Sequence, residues 1–213
     1  MQETGLEMER VSAYIDGFNL YFGMREAGLD HCRWLDVNLL VRSLLKPHQR
    51  LVRTKYFTSR VSNNPDKQKR QSIYIDALES TGVDIIYGTY QDGTTECKRC
   101  GNIWRIAKEK MTDVNIATAI IVDAYNNEYD KAMLISGDSD LTPPIREVHR
   151  AFQNKRVFIA FPPKRHNISM AAVAKGHFII GRKKLEGAQF SDTVFSKTGY
   201  SLKIPSTWRK SIK

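Results

Sequence analysis

The chain has 213 residues, 41% of them hydrophobic, which suits one compact domain with a core and excludes a wholly disordered chain. The formal net charge of +10 favours a polyanionic partner, most commonly nucleic acid, although a basic surface with no such partner stays open.

Five stretches rich in Val, Ile, Tyr and Phe predict short buried strands, at residues 11–16, 51–59, 83–90, 131–136 and 156–161. Helical patterns occupy residues 36–45, 64–80, 112–126 and 141–154. We expect Asp36 to cap the first of these helices and a Thr112–Asp113 cap to begin the third. Strands alternating with helices predict an α/β fold of three layers around a central parallel sheet.

Two segments depart from this alternation. Residues 91–108 carry glycines and a cysteine pair, and they predict an inserted β-hairpin. The polar and basic residues 182–213 predict either a flexible arm or a short C-terminal extension. We therefore expect one domain over residues 10–181, followed by that basic extension.

Four aspartates fall where ligands collect in an open α/β sheet, beyond the carboxyl ends of the strands. Asp16 ends the first strand, Asp138 and Asp140 follow the strand at 131–136, and Asp113 begins a helix on the same edge. Each alone could be a helix cap, but together they would repel one another unless a cation is present. Mg²⁺ or Mn²⁺ suits such carboxylates and can promote attack of water on a phosphate. Asp123 lies about 15 Å further along the helix, so we expect it to form a salt bridge or hydrogen bond instead.

Three motifs at these positions resemble those of a known family. They are "YIDGFNLY" (residues 14–21), "EKMTDVNIATAIIVDAY" (109–125) and "LISGDSDLTPPI" (134–145), and in this order they resemble the NYN domain, a family of PIN-like metal-dependent ribonucleases. The resemblance covers roughly residues 10–180. It implies a Rossmann-like fold, Mg²⁺ or Mn²⁺ bound by acidic residues, and hydrolysis of RNA.

The resemblance also implies roles for individual residues. The metal would be held, directly or through water, by Asp16, Asp113 and Asp138. Asp140 would be a further ligand or would orient the attacking water. Substrate binding would involve Asn19, which could instead orient Asp16, together with Lys110 and Ser136. Lys110 could equally pair with the carboxylates or be only an exposed lysine.

This sequence departs from the family pattern at the start of the third helix. Many relatives read "KGVD" where this chain reads "KMTD", from Lys110 to Asp113. Both charged residues are retained, but the missing glycine predicts a change in the geometry of the loop.

The cysteine pair in "CKRC", Cys97 and Cys100, is half of a zinc-binding signature, since a structural zinc site needs four ligands. His31 and Cys32 could supply the other two, or a homodimer could share one zinc ion between two pairs. A redox pair and a thiol pair without metal also stay open. Trp104 of the hairpin predicts either an RNA-contacting flap or a simple anchor.

The sequence contains neither an apolar run near the roughly 20 residues that span a bilayer nor a recognisable secretory signal. We expect a cytoplasmic, metal-dependent endoribonuclease that does not associate with membranes. One alternative is an inactive RNA- or protein-binding module of the same fold. The other is a metal-dependent phosphatase, which the basic charge and the lack of a second aspartate two residues after Asp16 disfavour.

Overall fold

A parallel sheet forms the centre of the molecule. The structure is a computed structural model that describes residues 8–61, 64–96 and 99–209, and at residues 90–93 and 104–109 it describes only the backbone. The strands of the sheet are β1 (Glu9–Asp16), β2 (Gln49–Thr58), β3 (Asp84–Tyr87), β6 (Lys131–Ile135), β7 (Arg156–Phe161) and β8 (His177–Ile179). They lie side by side in the order β3-β2-β1-β6-β7-β8, and every neighbouring pair is parallel.

Helices cover both faces of this sheet. One face packs against α1 (Gly17–Glu26), α2 (Val37–Leu44), α3 (Pro65–Ser80) and α7 (Arg182–Gly187). The other packs against α4 (Thr112–Tyr125), α5 (Thr142–Ala151) and α6 (Ile168–Val173). Successive residues of β1 point to opposite faces, so Ala13 and Ile15 join the first core and Tyr14 joins the second. The predicted three-layer, Rossmann-like fold with a central parallel sheet is confirmed.

Most predicted elements match the structure to within three residues at each end. The prediction of one strand over residues 83–90 is wrong, because β3 ends at Tyr87 and a new strand begins at Thr89. The chain turns at Gly88, where a Cβ would lie only 2.6 Å from the hydroxyl oxygen of Ser59. A side chain at this position would collide with the neighbouring loop, so only glycine fits.

The inserted hairpin is confirmed, and it begins two residues before and ends two residues after the predicted range 91–108. It consists of β4 (Thr89–Glu96) and β5 (Ile103–Lys110), which pair antiparallel. Thr89 pairs with Lys110 at the base of the hairpin. The insertion therefore returns the chain to the sheet edge it left, and α4 begins at that edge.

The C-terminal residues 182–209 pack on the α1–α3 side of the sheet. They form α7, the antiparallel strands β9 (Thr193–Phe195) and β10 (Ser201–Lys203), and a 3₁₀ turn at Ser206–Trp208. Trp208 is buried, with its ring centroid 6.5 Å from that of Trp34 and 5.8 Å from that of Tyr74. Within the described ranges, the chain has no helix of the length and hydrophobicity required to cross a membrane.

Candidate active site

Asp16 is the centre of the candidate site. It is the last residue of β1 and the N-cap of α1, where its carboxylate accepts a hydrogen bond of 2.9 Å from the backbone N–H of Asn19. The side chain is buried, because β1 is a central strand between β2 and β6. One carboxylate oxygen is thus tied to the helix start, and the other faces the loop after β6.

The loop after β6 is tied to Asp16 by hydrogen bonds. The Ser136 hydroxyl donates to Asp16 over 2.9 Å and accepts from the backbone N–H of Asp138 over 3.1 Å. The Asn19 side-chain oxygen accepts from the backbone N–H of Gly137 over 2.9 Å. These contacts link the first and third sequence motifs directly, although more than 100 residues separate them along the chain.

Ser136, for which substrate binding was predicted, lies beneath the loop in the structure. It is fully buried, and its hydroxyl is used in the contacts to Asp16 and Asp138. We therefore assign Ser136 a positioning role in place of a direct contact with substrate.

The surroundings of Asp16 disfavour its negative charge. Burial raises the pKa of its carboxyl from 3.8 to about 6, although the hydrogen bonds from Asn19 and Ser136 act in the opposite direction. The charges of Asp113 and Asp138 raise this pKa further. Three of the four predicted aspartates therefore interact through their charges. A nearby cation would remove the conflict.

Asp113 reaches this edge through an unusual start of α4. The N-cap is Met111, which has a left-handed backbone with φ of 75° and makes no side-chain capping bond. The prediction of a Thr112–Asp113 cap is therefore wrong, and both residues belong to the first turn. A left-handed backbone at a residue other than glycine costs about 1–2 kcal/mol in strain, and Met111 bears this cost.

The other predicted residues lie at the surface of the same edge. Asp138 caps the short 3₁₀ turn Ser139–Leu141 by accepting a hydrogen bond from the backbone N–H of Asp140 over 3.0 Å. The side chains of Asp140 and Lys110 are exposed, at the loop and at the base of the hairpin respectively. Both are therefore accessible to a substrate.

A basic loop that the sequence did not assign to the site packs directly against it. A Cβ on Gly137 would lie 1.9 Å from the backbone oxygen of Arg165, so only glycine allows the two loops to touch. Lys164, the preceding residue, is exposed with φ of 61°. The segment "PPKRH" is recognisable in the sequence as a basic cluster, but its contact with Gly137 depends on the tertiary fold.

Tyr56 is another neighbour that sequence reasoning missed. It is buried on β2, and its hydroxyl would lie 2.6 Å from a Cβ placed on Gly17, the residue after Asp16. Burial raises the pKa of Tyr56, and the charge of Asp16 raises it further. Gly17 therefore leaves room for an aromatic ring close to the candidate site.

The carboxylates suit a hard divalent ion, but they do not form a complete cage. No group of three Asp, Glu, His or Cys side chains that could hold a metal is present among the described residues. Mg²⁺ is commonly held by one or two carboxylates, with water and substrate phosphate as the remaining ligands. The raised pKa of Asp16 and its charged neighbours therefore fit an ion bound partly through water.

Asp123 lies away from these residues, as expected from its position along α4. It is buried and pairs with the Lys55 ammonium at 2.6 Å, and the Tyr14 hydroxyl donates to it, also over 2.6 Å. The predicted salt-bridge and hydrogen-bond role of Asp123 is confirmed.

The zinc prediction concerns Cys97 and Cys100, and Cys97 lies outside the described residues. Cys100 is exposed beyond the end of β4, whereas Cys32 is buried in the core. The two segments do not come together, so the site that combined Cys32 with the pair is not formed. The side chain of Trp104, the residue predicted to be a flap or an anchor, is also outside the described part.

Comparisons with known proteins agree with this architecture. The NYN domain model matches residues 10–186. The curated protein 6-hydroxy-3-succinoylpyridine 3-monooxygenase HspA of Pseudomonas putida is 24% identical, over 75% of this chain and 62% of that protein. The chain thus spans less than two thirds of the length of this relative. The crystal structure of a Vibrio parahaemolyticus protein of unknown function has a TM-score of 0.57 at 21% identity, covering 85% of this chain and 98% of that one, which supports the fold.

Proposed function

Because the chain belongs to the NYN domain family of PIN-like ribonucleases, we propose that it is a divalent-metal-dependent endoribonuclease that hydrolyses phosphodiester bonds of RNA. The observation that carries the proposal is the environment of Asp16. Its buried carboxylate is held by two separate motifs and faces the charges of Asp113 and Asp138. Such an arrangement is costly in a fold that has no use for a cation.

The metal would be Mg²⁺ or Mn²⁺, held by Asp16, Asp113 and Asp138, directly or through water. When bound, it would neutralise charge on the phosphoryl group and favour ionisation of the attacking water. Asp138 is fixed by its capping bond to the backbone of Asp140, so its carboxylate has a defined direction. The exposed carboxylate of Asp140 would orient the attacking water or accept its proton.

Basic side chains around the same edge would hold the RNA backbone. Lys110 lies at the base of the hairpin, and Lys164 lies on the loop that touches Gly137. Both are exposed, and the net charge of +10 favours a polymer with many phosphates over a single small anion. Phosphate contacts of this kind would position the strand without reading its sequence.

Cleavage of a labelled single-stranded RNA by the purified protein with Mg²⁺ or Mn²⁺ is the direct test. We expect Asp16→Asn and Asp138→Asn each to reduce the cleavage rate by more than about 100-fold. Loss of only the hydrogen bond that supports a metal ligand reduces activity by up to about 100-fold, and loss of the ligand itself should cost more. Asp76→Asn is the matched control, since Asp76 is exposed on α3, away from the cluster. It should cleave as fast as the wild type.

The positioning role of Ser136 has its own readout. Ser136→Ala removes the hydroxyl that links Asp16 to the backbone of Asp138. We expect the metal concentration for half-maximal rate to rise roughly 10-fold or more, while the rate at saturating metal falls less. An unchanged metal dependence would show that the hydroxyl does not position the ligands.

Two results would replace the proposal with another function. Tight RNA binding without cleavage, by folded protein loaded with metal, would identify a binding module. Hydrolysis of p-nitrophenyl phosphate without cleavage of RNA would identify a phosphatase. Equal RNA cleavage by the wild type and the double variant Asp16→Asn, Asp138→Asn would show that these residues are not the catalytic ones.

A further inference from the structure

A cavity of about 470 Å³ opens next to the candidate active site, between α1, α3 and the C-terminal turn Ser206–Trp208. Gly17, which directly follows Asp16, and Tyr56 line its inner end. Its volume lies within the range of roughly 300–1,000 Å³ that is usual for ligand pockets. None of the roles assigned above to Asp16 and its neighbours requires this cavity.

Aromatic rings of α1 form one wall. Phe18 and Phe22 stack with ring centroids 6.4 Å apart, and Tyr21 meets Phe22 edge-on at 5.3 Å. Phe22 is 40% exposed, so an apolar ring faces water at the cavity. The guanidinium of Arg33 lies 5.1 Å from the centre of the Tyr21 ring. Flat rings of this kind bind the faces of other aromatic groups.

Positive charge surrounds the rings. Among the described residues that line the cavity, four are basic and none is acidic; the basic ones are Arg25, Arg33, Lys67 and Arg70. Arg33 is paired with Asp30, but its buried Nε has no hydrogen-bond partner among the described residues. This Nε is itself shut off from solvent, so the charge that a ligand can reach comes from the exposed Arg25 and Lys67 and the half-buried Arg70.

We propose that this cavity binds the base of an unpaired RNA nucleotide, while the surrounding basic side chains hold the adjoining phosphates. An aromatic heterocycle that carries an anion matches both the rings and the charges of the lining. The base would stack on Tyr21, and the next phosphate would lie towards Gly17 and Asp16. This inference rests on the proposed ribonuclease function and adds the preference for single-stranded RNA.

The C-terminal segment completes the site. Thr207 and Trp208 line the cavity opposite α1, and both lie beyond residue 186, where the match to the family ends. Trp208 is held in place by its ring contacts with Trp34 and Tyr74. The extension therefore supplies two residues of the nucleotide site, and the remaining lining residues lie within the part of the chain that the family model matches.

A single-stranded RNA carrying one 2-aminopurine tests the proposal, because stacking of this base on an aromatic ring quenches its fluorescence. We expect Tyr21→Ala to weaken binding about 10-fold and to reduce the quenching, whereas Tyr21→Phe should retain both. Arg70→Ala should weaken binding and lower the dependence of log affinity on log salt by about one phosphate contact.

Matched controls lie far from the cavity. Tyr125 is 79% exposed at the C-terminal end of α4. The N-terminal end of this helix lies at the candidate active site, about 20 Å away along the helix axis. Arg156 is exposed at the amino end of β7, at the opposite end of the strands from the candidate active site. Tyr125→Ala and Arg156→Ala should each bind the RNA and quench its fluorescence as the wild type does.

The outcomes separate this inference from the proposed function. If the wild type cleaves RNA, and Tyr21→Ala and Arg70→Ala bind and cleave as it does, the cavity is not a nucleotide site but the ribonuclease proposal stands. If RNA is bound and quenched at the cavity but never cleaved, the nucleotide site stands and the ribonuclease proposal fails. If 6-hydroxy-3-succinoylpyridine binds there and RNA does not displace it, the nucleotide assignment is overturned.

Discussion

Replacing Asp16 with asparagine removes a carboxylate that is only 4% exposed and faces the charges of Asp113 and Asp138. Because its pKa is raised to about 6, mainly by burial, the folded chain binds this proton more tightly than the unfolded chain does. Above pH 6 the carboxylate is charged in both states, and the fold bears a cost of about 3 kcal/mol, at about 1.4 kcal/mol for each tenfold change in proton affinity. Well below pH 3.8 the carboxyl is protonated in both states and this cost disappears, whereas at pH 4 about 0.5 kcal/mol of it remains.

The asparagine side chain has nearly the shape of the carboxylate but one acceptor oxygen fewer. It can accept from the Asn19 N–H or from the Ser136 hydroxyl, so one contact is weakened, at a cost of about 1 kcal/mol. Without metal, Asp16→Asn should therefore be about 2 kcal/mol more stable than the wild type at pH 7.5 and about 0.5 kcal/mol less stable at pH 4.

Urea unfolding in EDTA, followed by tryptophan fluorescence at both pH values, measures these differences. Asp140→Asn is the matched control, because Asp140 is exposed on the neighbouring loop and its loss should change the stability by less than about 0.5 kcal/mol. A difference between Asp16→Asn and the wild type that is the same at both pH values would refute the reasoning. Addition of Mg²⁺ at pH 7.5 should stabilise the wild type more than the variant, since the ion binds only the folded site.

Three further substitutions, two beside the site and one at the buried ion pair of Asp123, are tested in urea unfolding experiments. Met111→Gly should stabilise the chain by about 0.5–1 kcal/mol, because glycine adopts a φ of 75° without strain although it adds entropy to the unfolded state; a loss of stability would contradict the strain. Gly137→Ala should cost more than about 2 kcal/mol and slow RNA cleavage, since its Cβ would lie 1.9 Å from the Arg165 oxygen; wild-type behaviour would show that the loops part easily. Lys55→Met should cost about 3 kcal/mol by leaving Asp123 charged and buried, and Asp123→Asn in the same chain should recover part of it; a neutral effect of the single change would mean that the pair contributes nothing.

Some features of the site follow from neighbouring residues in the chain. Asp16 ends one apolar strand and Asp138 lies three residues after the end of another, and the carboxyl ends of parallel strands share one edge of the sheet. The prediction of Asp113 at that edge treated α4 as a helix that follows a sheet strand, with the hairpin as an insertion between them. The position is kept because Thr89 and Lys110 pair and close the insertion.

Helix α1 shows why sequence patterns can fail. It was not predicted, because its large residues do not lie on one face: Leu20 and Met24 are buried in the core, whereas Phe18, Tyr21 and Phe22 are partly exposed. Periodicity indicates a helix when a single face is apolar. The aromatic rings of α1 have a common role only in the folded chain, where α3 and the C-terminal turn lie beside them and complete the cavity.

The sequence by itself determined the alternation of strands and helices, the aspartates that follow the strands, and the family, since these depend on residue types in a local order. Tertiary structure alone decided that Ser136 is a buried link between two motifs, that Arg165 touches Gly137, and that Trp208 completes a cavity beside Asp16. The physical reason is that local order sets how each segment folds. Contacts between distant segments depend instead on shape and burial, which exist only once the layers have packed.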